Sequence, residues 1–175
     1  MIFLLGGARS GKSALAVELG RGWAGPVVFV ATAEARDDEM RKRVAQHRAE
    51  RPPGWTTVEE PVELQAAIGA APEDACVIVD CLSLWVAALM ERGMAVEATA
   101  AARAAAARPA LTVAVSNEVG LGVVPPTPLG RAYRDVLGRV NAIWAAAAEE
   151  AALVVAGRLL PLAPADSLLD RARRP

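Results

Sequence analysis

Residues 1–13 read Met1-Ile2-Phe3-Leu4-Leu5-Gly6-Gly7-Ala8-Arg9-Ser10-Gly11-Lys12-Ser13. The first five residues form an apolar run suited to a buried strand, and Ala14-Leu15-Ala16-Val17-Glu18-Leu19 suits a helix that follows. Between them Gly6, four residues, and Gly11-Lys12-Ser13 complete a phosphate-binding loop in the strand-to-helix context that gives the motif its meaning. Gly6, Gly7 and Gly11 open backbone angles closed to other residues and let main-chain N–H groups along Ala8, Arg9 and Ser10 approach phosphate oxygens. Lys12 supplies a point charge for the outer phosphates, Ser13 a hydroxyl for Mg²⁺, and the helix directs its positive end at the anion. An ordinary glycine-rich turn is the alternative, disfavoured by the complete pattern and its flanks.

Working outward, apolar runs rich in β-branched residues recur at 2–5, 26–31, 76–80, 111–116 and 152–156, separated by helical stretches. Continuous rather than alternating hydrophobicity suits strands buried on both faces. The expected fold is therefore α/β: a mainly parallel sheet with helices on both faces and ligands at the carboxyl ends of the strands. The pattern predicts helices over 36–50, stopped by Pro52-Pro53-Gly54, and over 81–92, 96–108 and 128–150. The alanine-rich stretch 96–108 is expected to be an exposed or lightly packed helix without chemistry. Tyr133, Val136, Leu137, Val140 and Trp144 share one side of the long helix as core. The basic tail Arg171-Ala172-Arg173-Arg174 is expected to be solvated.

The chain has 175 residues, enough for one domain spanning 1–175 with its own core. Its net charge of -1 provides no basic field for nucleic acid. Hydrophobic content of 54% is largely alanine, and charges or glycine interrupt every apolar run before a membrane span, so a soluble chain is expected. No secretory signal is evident at the N-terminus, which makes the cytoplasm the expected compartment. Cys76 and Cys81, with no CxxC pair or histidine cluster, are expected to be reduced, packed thiols.

Asp80 ends its strand where the phosphate loop opens, suiting Mg²⁺ binding, a helix N-cap, or both. His47, the one histidine of the chain, lies four residues from Arg43 and four from Arg51. On a helix these share a face, placing an imidazole between two guanidiniums that can hold phosphate oxygens. Neutral imidazole is a competent nucleophile toward phosphorus. Met40 and Val44 precede it at helical spacing, so residue physics alone leaves a merely packed histidine open. Ala31-Thr32-Ala33 after the second strand either lets a ligand approach the backbone closely or is a plain structural segment. The loop from Ser116-Asn117-Glu118 to Pro125-Pro126 falls on the ligand side of the sheet, as a substrate contact or a plain connector.

Taken in order, several segments together resemble the bifunctional adenosylcobinamide kinase / adenosylcobinamide-phosphate guanylyltransferase family of cobalamin synthesis. They are Gly6 to Ser13, Val30-Ala31-Thr32-Ala33, Asp38-Glu39-Met40 leading to His47 and Arg51, Trp55 and Glu59. Further on come Val79-Asp80-Cys81-Leu82 with Trp85, Ser116 to Gly120 with Gly122 and Pro125, and Arg131 to Asn141. The resemblance implies a RecA-like P-loop sheet and a homotrimer. It implies that the histidine matching His47 attacks the α-phosphorus of GTP and carries GMP to adenosylcobinamide phosphate. It also implies a kinase step from ATP or GTP to the aminopropanol hydroxyl of adenosylcobinamide, with Mg²⁺ held by Ser13 and Asp80. On the same ground the phosphate loop, Ala31, Thr32, Ala33, Arg48, Ala49, Glu50, Arg51, Glu59 and Asp80 line the nucleotide site. Two other readings compete: a P-loop small-molecule kinase lacking guanylyl transfer, and a nucleotide switch or RecA-like motor module. The switch lacks a glycine three residues after Asp80 and any Asn-Lys-x-Asp motif; the motor lacks a basic, aromatic-studded strip.

Overall fold

The computed structural model describes residues 1–35 and 38–167. The start of the predicted helix at Arg36, the side chains of Met40 and Arg43, and the Arg171–Arg174 tail lie outside the described residues. Among the described residues seven strands form one sheet in the order β3-β2-β4-β5-β1-β6-β7. The strands are β1 (Ile2–Gly6), β2 (Val27–Ala31), β3 (Thr56–Glu59), β4 (Cys76–Asp80), β5 (Thr112–Asn117), β6 (Glu150–Val155) and β7 (Arg158–Pro161). Every pairing is parallel except β6 with β7. The helices are α1 (Lys12–Arg21), α2 (Asp38–Ala49), α3 (Leu64–Ala70), α4 (Leu82–Glu91), α5 (Ala98–Ala106) and α6 (Pro128–Ala147).

Alternate side chains of the central strands feed two separate cores, as the pleat requires. Phe3, Val28, Val30, Val77, Val79 and Ala114 face α3 to α6, where Leu64, Ile68, Trp85, Leu137 and Trp144 cover them. Leu4, Val27, Phe29, Cys76, Ile78, Val113 and Val115 face the other way, against Ala16 and Val17 of α1. Both faces being covered explains why these strands read as unbroken apolar runs.

The alanine-rich helix differs from its sequence expectation. Ala98, Ala101, Ala102 and Ala105 are buried, and α5 packs between α3 and α6. Alanine is the residue that lets helix backbones approach closely, so a run that resembles filler makes a tight contact. Arg108 just beyond it donates to the carbonyl oxygens of Ile68, Ala71, Pro72 and Ala75, tying α5 to the end of α3.

Position 6 has no room for a side chain. A Cβ on Gly6 would lie 2.3 Å from the Val154 carbonyl oxygen and 2.9 Å from Ser10 Oγ. Gly6→Ala must therefore push β1 from β6 or distort the loop, and should cost about 1–3 kcal/mol of stability, as overpacking does. Urea unfolding of the purified variant checks this; an unchanged midpoint would refute the steric account.

Candidate functional site

β1 ends in the phosphate loop, and the loop turns directly into α1. Gly11 is the N-cap of α1 at φ 103°, and Arg9, without glycine's freedom, takes φ 57°. The turn joining β6 to β7 braces the loop from outside, with Gly157 N donating to the Ser10 carbonyl at 2.8 Å. Lys12 is buried at 6% exposure, and its Nζ donates to the Gly7 carbonyl at 2.7 Å. That contact folds the ammonium across the mouth of the loop, where an incoming phosphate would meet it.

Because β4, β5 and β1 are neighbours in parallel, the carboxyl end of β4 opens beside the loop. Ser13 Oγ donates to Asp80 Oδ1 at 3.2 Å. Burial pushes the Asp80 carboxyl above the usual aspartate range, opposed by the Ser13 hydrogen bond and the nearby charges of His47, Arg51 and Lys12. A buried carboxylate beside a hydroxyl suits a divalent cation. No group of three or more His, Cys, Asp or Glu among the described residues could hold a metal alone. An ion held by Ser13 and Asp80 would therefore complete its oxygen shell from phosphate and water, the usual arrangement for Mg²⁺. The residues fit the ion on those terms.

A cleft of about 360 Å³ unites these groups, lined by Ala8 to Ala14, Ala31, Ala33, Val44, His47, Glu50, Arg51, Asp80, Cys81, Leu84, Val115 and Asn117. His47 thus faces the same space as Lys12, Ser13 and Asp80. Its imidazole is 38% exposed, with Nδ1 lying 3.7 Å from Glu50 Oε2. That is an electrostatic contact longer than a hydrogen bond.

Arg51 reaches the cleft differently from its sequence expectation. The helix ends at Ala49, so Arg51 enters from the following turn rather than from the helical face of His47. Its guanidinium lies 3.7 Å over the Phe29 ring and bonds Thr57 Oγ1 at 3.3 Å. Its Nε is buried without a hydrogen-bond partner. Burial lowers its pKa from the ordinary arginine value, partly offset by Asp80. A cation held over an aromatic ring with a donor unspent is suited to an anionic ligand.

Other expected site residues lie at or beyond the rim. Arg48 and Glu59 form an exposed ion pair at 3.4 Å, and Ala49 is exposed at the end of α2. Thr32 is buried at 1%, donating to the Cys81 carbonyl at 2.7 Å and accepting from Cys81 N at 2.8 Å, so it fixes the β2 and β4 ends to each other. Gly6 is buried at the end of β1 and Gly7 is exposed, and neither lines the cleft. Val44, Leu84, Cys81 and Val115 form the apolar side of the cleft, which the sequence pattern did not single out; only their positions at strand ends or on α2 and α4 signal it.

Both cysteines are free and buried. Burial pushes Cys76 and Cys81 from the ordinary thiol value of 9.0 up to about 11 each, so both are neutral thiols near pH 7. Between pH 9 and 11 the unfolded chain gives up thiol protons that the folded chain keeps, so stability must fall as pH rises through that interval. The urea midpoint should drop there more steeply than in a chain carrying Cys76→Ala and Cys81→Ala; equal slopes would contradict the burial effect.

Comparison with known proteins extends the local geometry to the whole chain. Residues 2–162 match the family described as cobinamide kinase / cobinamide phosphate guanyltransferase. The bifunctional adenosylcobalamin biosynthesis protein CobP of Pseudomonas aeruginosa is 42% identical over 164 residues, covering 91% of this chain and 95% of that protein. The corresponding CobU proteins of Salmonella typhimurium and Escherichia coli are 40% and 39% identical, each covering 90% of this chain and 96% of the relative. A solved ATPase from the type III secretion system of pathogenic bacteria shares the fold at a TM-score of 0.50 and 11% identity. It covers 98% of this chain, which spans 60% of the ATPase. With residues 2–162 matched and relatives near 40% identical over most of their length, the chain belongs to the cobinamide kinase / cobinamide phosphate guanyltransferase family.

Proposed function

We propose that this chain performs two successive reactions in one cleft. It phosphorylates the aminopropanol hydroxyl of adenosylcobinamide with ATP or GTP, then transfers GMP from GTP to the new phosphate, giving adenosylcobinamide-GDP. The observation that carries this reading is the shared lining of one cleft by Lys12, Ser13, Asp80 and His47. A kinase alone requires the first three; the imidazole adds a nucleophile.

In the guanylyl step His47 attacks the α-phosphorus of GTP. A nitrogen–phosphorus bond forms, the bond to the bridging α,β-oxygen breaks, and pyrophosphate leaves. Glu50, facing Nδ1 at 3.7 Å, favours the tautomer with the proton on Nδ1 and the lone pair on Nε2. The phosphate of adenosylcobinamide phosphate then displaces the imidazole from the same phosphorus. Dividing one displacement into two keeps transfer potential in the nitrogen–phosphorus bond. Arg51 and the loop N–H groups hold phosphate oxygens as charge redistributes. Ser13 and Asp80 would hold Mg²⁺ together with the nucleotide phosphates, and the ion would supply neutralisation of triphosphate charge. Arg48, Ala49, Glu59 and the segment 31–33 frame the guanine nucleotide in this reading.

The protein is further proposed to work as a cytoplasmic homotrimer. Two apolar surfaces support association: Leu121, Val123, Val124 and Leu129 after β5, and Val155, Leu159 and Leu160 on the β6–β7 hairpin, all exposed. No helix among the described residues is long and apolar enough to cross a membrane. Light scattering of the purified protein tests the trimer.

The reaction scheme is tested by mixing the protein with GTP and Mg²⁺ in the absence of any corrinoid. About one equivalent of pyrophosphate should appear in a burst, and adding adenosylcobinamide phosphate should restart its release. Pyrophosphate that appears only when the corrinoid is present would favour direct transfer and overturn the covalent scheme.

A further inference from the structure

β5 runs between β4, which ends in Asp80, and β1, which ends in the phosphate loop, and its last residue Asn117 is in register with Gly6. Asn117 lines the cleft. Its Nδ2 donates to Ser83 Oγ at 2.7 Å, and Ser83, 2% exposed at the start of α4, also meets Cys81 Sγ at 2.9 Å. The Ser83 carbonyl accepts from Tyr133 OH at 3.0 Å. The Asn117 carbonyl accepts from Asn141 Nδ2 at 3.1 Å, and Asn141 Oδ1 accepts from Ser116 Oγ at 2.6 Å. Ser83 of α4 thus holds the side-chain amide through Nδ2, while Asn141 of α6 holds the backbone carbonyl of the same residue. Among the described residues Nδ2 is anchored on Ser83 Oγ and no donor is seen at Asn117 Oδ1.

An amide oxygen accepts hydrogen bonds and repels phosphate oxygens, so it is poorly suited to hold the triphosphate itself. Beside the phosphate loop its natural partner is a hydroxyl donor. Resting on the kinase half of the function proposed above, we infer that Asn117 seats the acceptor alcohol for phosphoryl transfer, with Ser83 as the positioning residue that fixes the amide plane. The alcohol oxygen bonds to the γ-phosphorus, the bond to the bridging β,γ-oxygen breaks, the nucleoside diphosphate leaves, and the hydroxyl proton is released to water. The amide accepts a hydrogen bond from that hydroxyl and aims its lone pair at phosphorus; it takes no proton. Orientation of this kind contributes through geometry, and its loss is felt in turnover rather than in nucleotide affinity.

The test compares wild type, Asn117→Ala and Ser83→Ala in three measurements: phosphorylation of adenosylcobinamide, nucleotide affinity by titration calorimetry, and label retained from α-labelled GTP. Asn117→Ala should lower kcat of the kinase step by about 100-fold, and Ser83→Ala by about tenfold, with nucleotide affinity and retained label unchanged. Should Asn117→Ala fail to fold, Ser83→Ala decides alone. Wild-type kcat in either folded variant, or a parallel loss of nucleotide affinity, would overturn the inference. Absence of label in the wild type would instead strike the guanylyl half of the proposed function and leave the kinase comparison able to decide on Asn117.

Discussion

His47→Ala is expected to abolish covalent guanylylation while the chain still phosphorylates adenosylcobinamide. The cleft supplies the reason. In the proposed scheme Lys12, Ser13 and Asp80 act on the triphosphate whichever phosphorus reacts, whereas His47 enters the cleft from α2. Removing a covalent nucleophile commonly costs more than about four orders of magnitude in turnover, since the remaining groups only stabilise a reaction that has lost its attacking atom. The kinase step takes its nucleophile from the acceptor, so it is spared. Added imidazole should restore part of the guanylyl transfer in His47→Ala, because the deleted ring leaves space in a partly exposed part of the cleft. Labelling with α-labelled GTP, alongside a kinase assay on the same preparation, checks both halves. Equal loss of the two activities would make His47 a structural or binding residue.

Lys12→Ala should cripple both reactions together. Its ammonium is buried and bonds the Gly7 carbonyl, at the loop on which the proposed scheme seats the β- and γ-phosphates. In a site of low effective dielectric, one oriented donor to developing negative charge contributes on the order of 10²–10³ in rate. The expected result is a fall of that size in kcat/KM for kinase and guanylyl transfer alike, with nucleotide affinity weakened in calorimetry. Lys12→Arg should rescue little, since a planar fork cannot replace a compact ammonium in so closed a loop. A variant that lost one activity and kept the other would show that the two reactions do not share a phosphate cradle.

The contrast between these substitutions follows from features of differing legibility in the sequence. The phosphate loop carries its own flanks, so β1, α1, Lys12 and Ser13 could be placed without a structure. Asp80 was legible because an unbroken apolar run ends in a single carboxylate. Strand β3 was not: Thr56-Thr57-Val58-Glu59 is short, half-exposed and lies on the sheet edge, so it lacks the continuous hydrophobicity of the central strands. Strand β7 is exposed throughout and contains Pro161, which suits only an edge. Helix α3 is seven residues long with an internal glycine, too brief to show a period. In α5 the sequence shows alanine but not its neighbours, and only packing against α3 and α6 distinguishes a close contact from filler.

The site divides in the same way. Helical spacing places His47 and Arg51 together and both line the cleft, although Arg51 arrives from beyond the helix end on the face of Phe29. Thr32 is spent on the backbone of Cys81, a role no local pattern reveals because its partner lies 49 residues away. The amide of Asn117 owes its orientation to Ser83, 34 residues distant. Long-range hydrogen bonds of this type are set by strand register, which a motif does not encode.

The most direct test of the account is to expose the wild-type protein to GTP and Mg²⁺, quench in base, digest, and map the adduct by tandem mass spectrometry. The account predicts a guanylyl group on the peptide containing His47, attached to the imidazole and lost in acid. An active enzyme with no adduct, or with the guanylyl group on any other residue, would contradict it.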